Sequence, residues 1–396
     1  MRLFNTMSGV KDDFIPGPIV TLYVCGVTPY DTTHLGHAFS YASFDILIRF
    51  LRSLGHEVRY TQNVTDIDDD ILRKAREIDV PWDVLGREQT EQYQRDMAAL
   101  NILPPTHYPH ATTEIPGMVD MIRVLLEAGH AYRSGSYVFF DSTSSRDFGR
   151  MAGLTPAQME ARFAETGDLP DNPDKRNRLD FILWKASAAD EPSWESPWGP
   201  GRPGWHIECS AMATRYLGPR IDIHGGGDDL VFPHHCCEIV QSEGATGQAP
   251  FARIWMHNAA LLLDGVKMSK SLGNLVLASD LLSRYTPDAI RLCLARHHYR
   301  TPFDYHVTEL ERAARDAEEL RAVVAHGGEQ PDGAVAGDDL PEPVANVRRR
   351  FVAALADDLD TPLAVQCLMG LSTIEHPSAS LVLRDLGGLL GLRFDI

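Results

Sequence analysis

The sequence predicts an α/β fold, a parallel sheet with crossover helices, interrupted by an insertion and followed by a helical bundle. Three observations carry this reading. Residues 21–24 are a β-rich run that breaks at Gly26 and a turn around Pro29 and Asp31. Residues 37–54 then repeat apolar side chains at helical spacing (Phe44, Leu47, Ile48, Leu51) up to Gly55, and residues 57–64 read as a second strand. Strand, helix and strand at this spacing make a βαβ unit with parallel strands. Second, a strand-like pattern returns at 220–224, ahead of Gly225-Gly226-Gly227, and helices resume after Pro233. Third, 307–325 has amphipathic helical spacing, 327–343 is a Gly, Pro and acid linker, and helical pattern runs from there to the end.

The segments between are less regular. Residues from about 85 to 131 read as helical with breaks at Pro104, Pro105 and Pro116, residues 131–140 resemble a hairpin, and 141–203, rich in Pro, Asp and Trp, read as irregular. The acidic run Asp66, Asp68, Asp69 lacks the Gly and distal Glu of a calcium loop and reads as a structural turn.

Composition narrows the class. With 44% hydrophobic and 23% charged residues over 396 positions, the chain has material for two or three domains of ordinary soluble type. No apolar run approaches the ~20 residues of a membrane span, and residues 1–10 lack a signal pattern. The expectation is a cytoplasmic protein whose six cysteines serve burial or metal binding, not a disulfide framework. Net charge is −18, and the last 96 residues hold eight Arg and no Lys against seventeen Asp or Glu. Such a tail is a poor docking face for a polyanion, the Arg348–Arg350 cluster apart.

Two motifs point to phosphate chemistry. His34-Leu35-Gly36-His37 lies between the first strand and first helix, where an open parallel sheet places its ligand crevice. A helix N-terminus there offers unpaired N–H groups to phosphate, Gly36 permits close approach, and the two imidazoles can donate to charge on the α-phosphate. Lys267-Met268-Ser269-Lys270-Ser271, followed by Leu272-Gly273-Asn274, places two ammonium groups in a loop able to close on a triphosphate. Alone, either is also what a surface His pair or a solvated Lys/Ser loop looks like; the pair, about 230 residues apart and each at a βα junction, is specific. Cys25, Cys209, and His234 with Glu238 at i, i+4 spacing offer soft and borderline donors of the kind zinc takes, although spacing alone cannot pair residues so far apart.

The two motifs together resemble the signatures of class I aminoacyl-tRNA synthetases, and the flanking residues resemble the cysteine branch of that family. These are residues 23–31 (YVCGVTPYD), 63–69 (NVTDIDD), 201–210 (GRPGWHIECS) and 222–235, the last holding DIHGGG and FPHH. The resemblance covers nearly the whole chain. It implies a Rossmann-like class I synthetase catalytic domain with an inserted connective segment and a C-terminal α-helical bundle. The implied divisions are 1–110, first half of the catalytic domain; 111–195, connective insertion; 196–262, second half; 263–305, the region of the Lys267–Ser271 loop and stem contacts; and 306–396, a helical domain with no separate anticodon-binding domain. It implies ATP-dependent, AMP-forming activation of L-cysteine, with Mg²⁺ accompanying ATP, by His34, His37, Lys267 and Lys270. ATP would also meet Thr28, Gly36, the Gly225–Gly227 loop, whose missing side chains let a ribose approach, and Asp229. The cysteine would meet Gly26, Thr65, Trp205 and His206. One zinc ion would be held by Cys25, Cys209, His234 and Glu238, where it binds a thiolate far better than a serine hydroxyl and so exceeds the ~100-fold discrimination of a pocket based on shape. Cys236 and Cys237 depart from the family pattern. One of them could replace Glu238, but with Glu238 present at the expected spacing they read as small helix residues beside the site.

Two acceptors compete within this branch: the amine of a glucosaminyl-inositol, as in mycothiol cysteine ligases, and tRNA-Cys, as in cysteinyl-tRNA synthetases. The compact, acidic C-terminal region and the form of residues 28–38 favour the amino-sugar. Glu238 is the synthetase pattern, and residues 165–170 match the ligase pattern only in part. A non-catalytic synthetase-like binding module is the third reading, disfavoured by the intact motifs. The chain is expected to act as a monomer without a membrane partner.

Overall fold

The computed structural model describes residues 1–30, 33–166, 170–268, 272–326 and 340–394. Asp31, Ser269, Lys270 and Ser271, residues 167–169 and most of the linker at 327–339 therefore lie outside the described residues.

A hairpin of β1 (Arg2–Asn5) and β2 (Val10–Asp13) precedes the central sheet. That sheet is β3 (Ile19–Val27), β4 (Glu57–Val64), β9 (Ile221–Gly227) and β10 (Ala252–Asn258), in the order β10-β9-β3-β4, with every pairing parallel. The expected βαβ unit is β3, α1 (Leu35–Ser53) and β4. The first strand is longer than the sequence pattern suggests, because sheet pairing carries it past Gly26 through an irregularity in its register with β4. Helix α1 starts at Leu35, so His34 is its N-cap.

Helices α2 (Asp69–Ile78) and α3 (Trp82–Ala99) follow β4. Asp68 caps α2 by accepting from Asp70 N–H at 2.8 Å, and Asp66 accepts from Thr112 N–H and Oγ1, so the acidic turn is occupied structurally. The Pro104–Pro105 break leads into an extended stretch bridged to β4 at Thr61–His107 and Val64–His110. Helix α4 (Ile115–Glu127) leads to the hairpin β5 (Ala131–Ser134) and β6 (Tyr137–Phe140).

Residues 141–203 correct the expectation of irregular structure. They contain α5 (Pro156–Glu165), started by a Thr155–Gln158 capping box, then β7 (Phe181–Lys185) and β8 (Arg202–Pro203), which extend the hairpin into a four-stranded antiparallel sheet. The strands are short and the turns Pro-rich, so burial of Phe181, Leu183 and Trp184 decides their conformation where local pattern does not. Helix α6 (Trp205–Leu217) precedes β9, and a kinked segment (Val231–His235), broken by the extended Phe232, enters α7 (Cys236–Thr246) before β10.

Beyond the sheet, β11 (Leu261–Leu263), β12 (Val266–Lys267) and β13 (Phe303–Asp304) form a small sheet around α8 (Ala278–Leu282) and α9 (Pro287–Ala295). Helices α10 (Val307–His326), α11 (Glu342–Ala356), α12 (Thr361–Ser372) and α13 (Pro377–Leu389) make the C-terminal bundle. One core joins the α1 face of the sheet to this bundle, and another joins the opposite face to α4, α6, α7 and the insertion. No helix among the described residues is long and apolar enough to cross a membrane.

The bundle is tied to α1 by a buried cation. Arg291 of α9 is fully buried and meets Asp45 of α1 at 2.5 Å, while its other nitrogens donate to the carbonyls of Leu100 and Leu390. The α1 helix that starts at the His34–His37 motif is thus clamped from behind. Removing the guanidinium leaves the buried Asp45 carboxylate to Arg49 and the Leu103 N–H and unmakes the contacts to the carbonyls of Leu100, Asn101 and Leu390. Arg291→Met should lower stability by about 3 kcal/mol, read as a fall in the thermal or denaturant midpoint.

Candidate active site and metal centre

The crossovers from β3 and β9 run to opposite sides of the sheet, so the crevice at their carboxyl ends is a topological switch point. Cys25 and Gly26 end β3 there. A Cβ on Gly26 would run into the backbone carbonyl of Asn63 on β4, and Gly26 N–H instead donates to Asn63 Oδ1 at 2.8 Å. Only glycine lets the strands close up at the register irregularity, and this presents the Cys25 thiol to α6 and α7.

Three elements complete a buried cluster around that thiol. Cys209 comes from α6, His234 from the kinked segment before α7, and Glu238 from the first turn of α7. The Cys25 and Cys209 sulfurs are 3.7 Å apart, Cys25 Sγ is 3.6 Å from Glu238 Oε1, and His234 Nε2 is 3.3 Å from the same oxygen. The ligand atoms of all four lie within 4.8 Å of one another. In a tetrahedral zinc shell, bonds of about 2.3 Å to sulfur and about 2.0 Å to nitrogen or oxygen give edges of about 3.7 Å between sulfurs and about 3.3 Å between nitrogen and oxygen. The donor set and its spacing therefore fit a metal ion. Electrostatics point the same way. Burial pushes the Cys25 and Cys209 thiols up and His234 down, which keeps the imidazole neutral and leaves the thiols in need of a cation to lose their protons.

Two donors were missed by sequence reasoning. His224 Nε2 lies 3.0 Å from Glu238 Oε2, and His235 Nε2 lies 3.3 Å from Cys25 Sγ, so Cys25, His224, His235 and Glu238 form a second set of four within the same distance. His224 pairs in register with Tyr23, which puts it on the face of Cys25. Period-two alternation could have found it, but only with the β3–β9 register, which the sequence does not contain. His235 is held by His257 at 2.7 Å, and His257 by Thr6 at 2.7 Å. Cys236 and Cys237 belong to neither donor set. The Cys236 thiol, pushed up to about 12 by burial, faces the backbone N–H groups of Gly149, Met151 and Ala152 in the insertion.

The remaining predicted residues gather around this centre. Trp205 stacks on His234 with ring centroids 4.3 Å apart, and His206, fully buried, brings Nδ1 to 3.1 Å from His234 Nδ1. Thr65 is buried beside Asn63, whose Nδ2 donates to its hydroxyl. Thr28 follows the end of β3. His34 and His37 stack at 3.7 Å at the start of α1. The segment after the Lys267 loop is bonded to that helix start: Leu35 N–H donates to Val276, Ala278 N–H to Thr33, and His34 bridges Leu277. Tertiary structure thereby joins two motifs about 230 residues apart. Lys267 Nζ lies 3.4 Å from Asp229 and 3.6 Å from Asp228, over the end of β9; Lys270 lies outside the described residues.

At Gly225 and Gly226 the space beside the strand is filled by neighbouring side chains. A Cβ on Gly225 would strike the Phe44 ring, and one on Gly226 would crowd Leu230 and His235. These glycines serve the packing of α1 and α7 against the sheet.

Cys209→Ala should abolish tight metal binding, read as metal per chain after dialysis, whereas Cys236→Ser and Cys237→Ser should retain it. Loss of metal in the two serine variants alone would move the centre onto α7.

The family described as tRNA synthetases class I (C) catalytic domain matches residues 14–315. An L-cysteine:1D-myo-inositol 2-amino-2-deoxy-alpha-D-glucopyranoside ligase of Parafrankia sp. is 46% identical over 92% of this chain and 80% of its own length. A cysteine--tRNA ligase of Dehalococcoides mccartyi is 42% identical over 99% of this chain and 86% of its own. Among solved structures, methionyl-tRNA synthetase of Mycobacterium tuberculosis shares the fold, with a TM-score of 0.67 and 17% identity over 94% of this chain and 88% of that one. With a parallel sheet, both signature motifs at its carboxyl edge and these relatives, the chain belongs to the cysteine branch of the class I aminoacyl-tRNA synthetase family and is an ATP-dependent ligase of that type.

Proposed function

We propose that this chain activates L-cysteine with ATP and transfers it to the amine of a glucosaminyl-inositol. The observation that carries the first half is the four-donor cluster at the end of β3, within the same crevice as the His34–His37 helix start and Lys267. Cys25, Cys209, His234 and Glu238 would hold zinc, which supplies a thiolate-selective contact when bound. This chain's own residues do the rest. Trp205, packed on His234, walls the amino-acid pocket. The helix start receives the α-phosphate as the cysteine carboxylate attacks it and pyrophosphate leaves. Lys267, paired with Asp228 and Asp229, is placed to move onto the leaving pyrophosphate. In the second half an amine attacks the activated carbonyl and AMP departs.

Two features support a small amine as acceptor. The relative from Parafrankia sp. bears an amino-sugar ligase name at 46% identity, and a Thermobispora bispora protein of the same name aligns over 99% of this chain and 95% of its own length. The C-terminal 96 residues carry a net −9, an unfavourable field for phosphates. The second reading, tRNA-Cys as acceptor, is favoured by Glu238 within the donor set and by the 42% identity to cysteine--tRNA ligases.

Lys267→Ala should slow cysteine-dependent pyrophosphate exchange on the order of 100-fold while leaving cysteine binding nearly unchanged, because a pyrophosphate clamp acts on charge developing in the transition state. The acceptor is tested with labelled cysteine, ATP, and either glucosaminyl-inositol or total tRNA. Amide formation with the amino-sugar at the rate of adenylate formation is expected. Charging of tRNA at that rate instead would make the protein a compact cysteinyl-tRNA synthetase.

A further inference from the structure

Asn258 ends β10 at the carboxyl edge of the sheet and is 1% exposed. Neither its Oδ1 nor its Nδ2 has a hydrogen-bond partner among the described residues. A buried amide is held at such a cost only where something else satisfies it. Its surroundings are those of the nucleotide crevice. Asn258 pairs in register with Gly227 on β9, which contributes no side chain, and a Cβ there would meet only the Asp229 carboxylate. Period-two alternation places Asn258 on the face of Ile254 and Met256, which pack into the core shared with α1, the helix that begins at His34. Asp229 and Lys267 close the same end of the sheet.

We propose that Asn258 reads the adenine base of ATP. A carboxamide matches an adenine edge in both directions: Oδ1 accepts from the exocyclic amino group and Nδ2 donates to the neighbouring ring nitrogen. Those two bonds satisfy both orphaned atoms together, and a base without the amino group leaves Oδ1 unsatisfied. Asn258 is thus a specificity-determining residue for the nucleotide, an assignment that rests on the ATP-dependent reading above.

The test is calorimetric binding of ATP and of purine riboside triphosphate, which lacks the exocyclic amino group, to the full chain with Mg²⁺. The wild-type protein should prefer ATP by about tenfold. Asn258→Ala should weaken ATP by about tenfold and bind both nucleotides equally, with cysteine affinity kept as a check on the fold. Asn258→Asp, which preserves volume and the acceptor but loses the donor, should weaken ATP while still preferring it to the analogue. An Asn258→Ala protein with the wild-type preference for ATP overturns the assignment alone. A wild-type chain that binds neither nucleotide overturns the ligase reading on which it rests.

Discussion

The site is organised by one constraint: a carboxylate, two thiols and three imidazoles must share a water-free volume at the end of β3. Glu238 is fully buried, and its two oxygens divide between His224 on one side and the His234 and Cys25 side on the other. An isolated charge in that position would cost heavily in desolvation. It persists because β9, β3, α6 and α7 each deliver a donor within reach. The closeness of those elements explains Gly26, Gly225 and Gly226, since a side chain at any of them would force strands or helices apart.

Around this centre the charge pattern is divided by function. Buried acids have named partners: Asp45 meets Arg291 and Arg49, and Asp358 meets Tyr299 and Arg300. These pairs fasten α1 and the β13 region to the C-terminal bundle and set the angle at which the His34–His37 helix faces the crevice. Exposed charge is left for ligands. Lys267, nearly half exposed and paired with surface aspartates, can change partners at little cost, because solvent-screened pairs are weak. A buried donor cluster and an exposed cation thus stand at the same carboxyl edge of the sheet, on either side of the end of β9.

Much of this was legible in the sequence. The βαβ unit, the bounds of β4, the helix start after Pro233 and the two signature motifs follow from periodicity and short-range chemistry, which need no knowledge of distant contacts. The donor residues Cys25, Cys209, His234 and Glu238 were named through family resemblance, since only the i, i+4 relation of the last two is visible in spacing. Of the sheet β5-β6-β7-β8 only the hairpin was legible, because β7 and β8 are short and stabilised by the strands they pair with.

What the sequence determined by itself is the set of local devices: caps, turns, a helix start facing a strand end, and the chemical types available to phosphate and metal. What only the tertiary structure decided is their company. Strand register put His224 beside Glu238, helix packing turned Cys236 toward the insertion, and the 276–278 segment carried the Lys267 loop to the start of α1. Packing also set Gly225 against Phe44 and Gly226 against Leu230 and His235, and left the Asn258 amide without a partner among the described residues. The physical reason is the same in each case. Local conformation is written in neighbours a few residues apart, whereas burial and hydrogen-bond satisfaction depend on residues hundreds of positions away that meet only after the chain has folded.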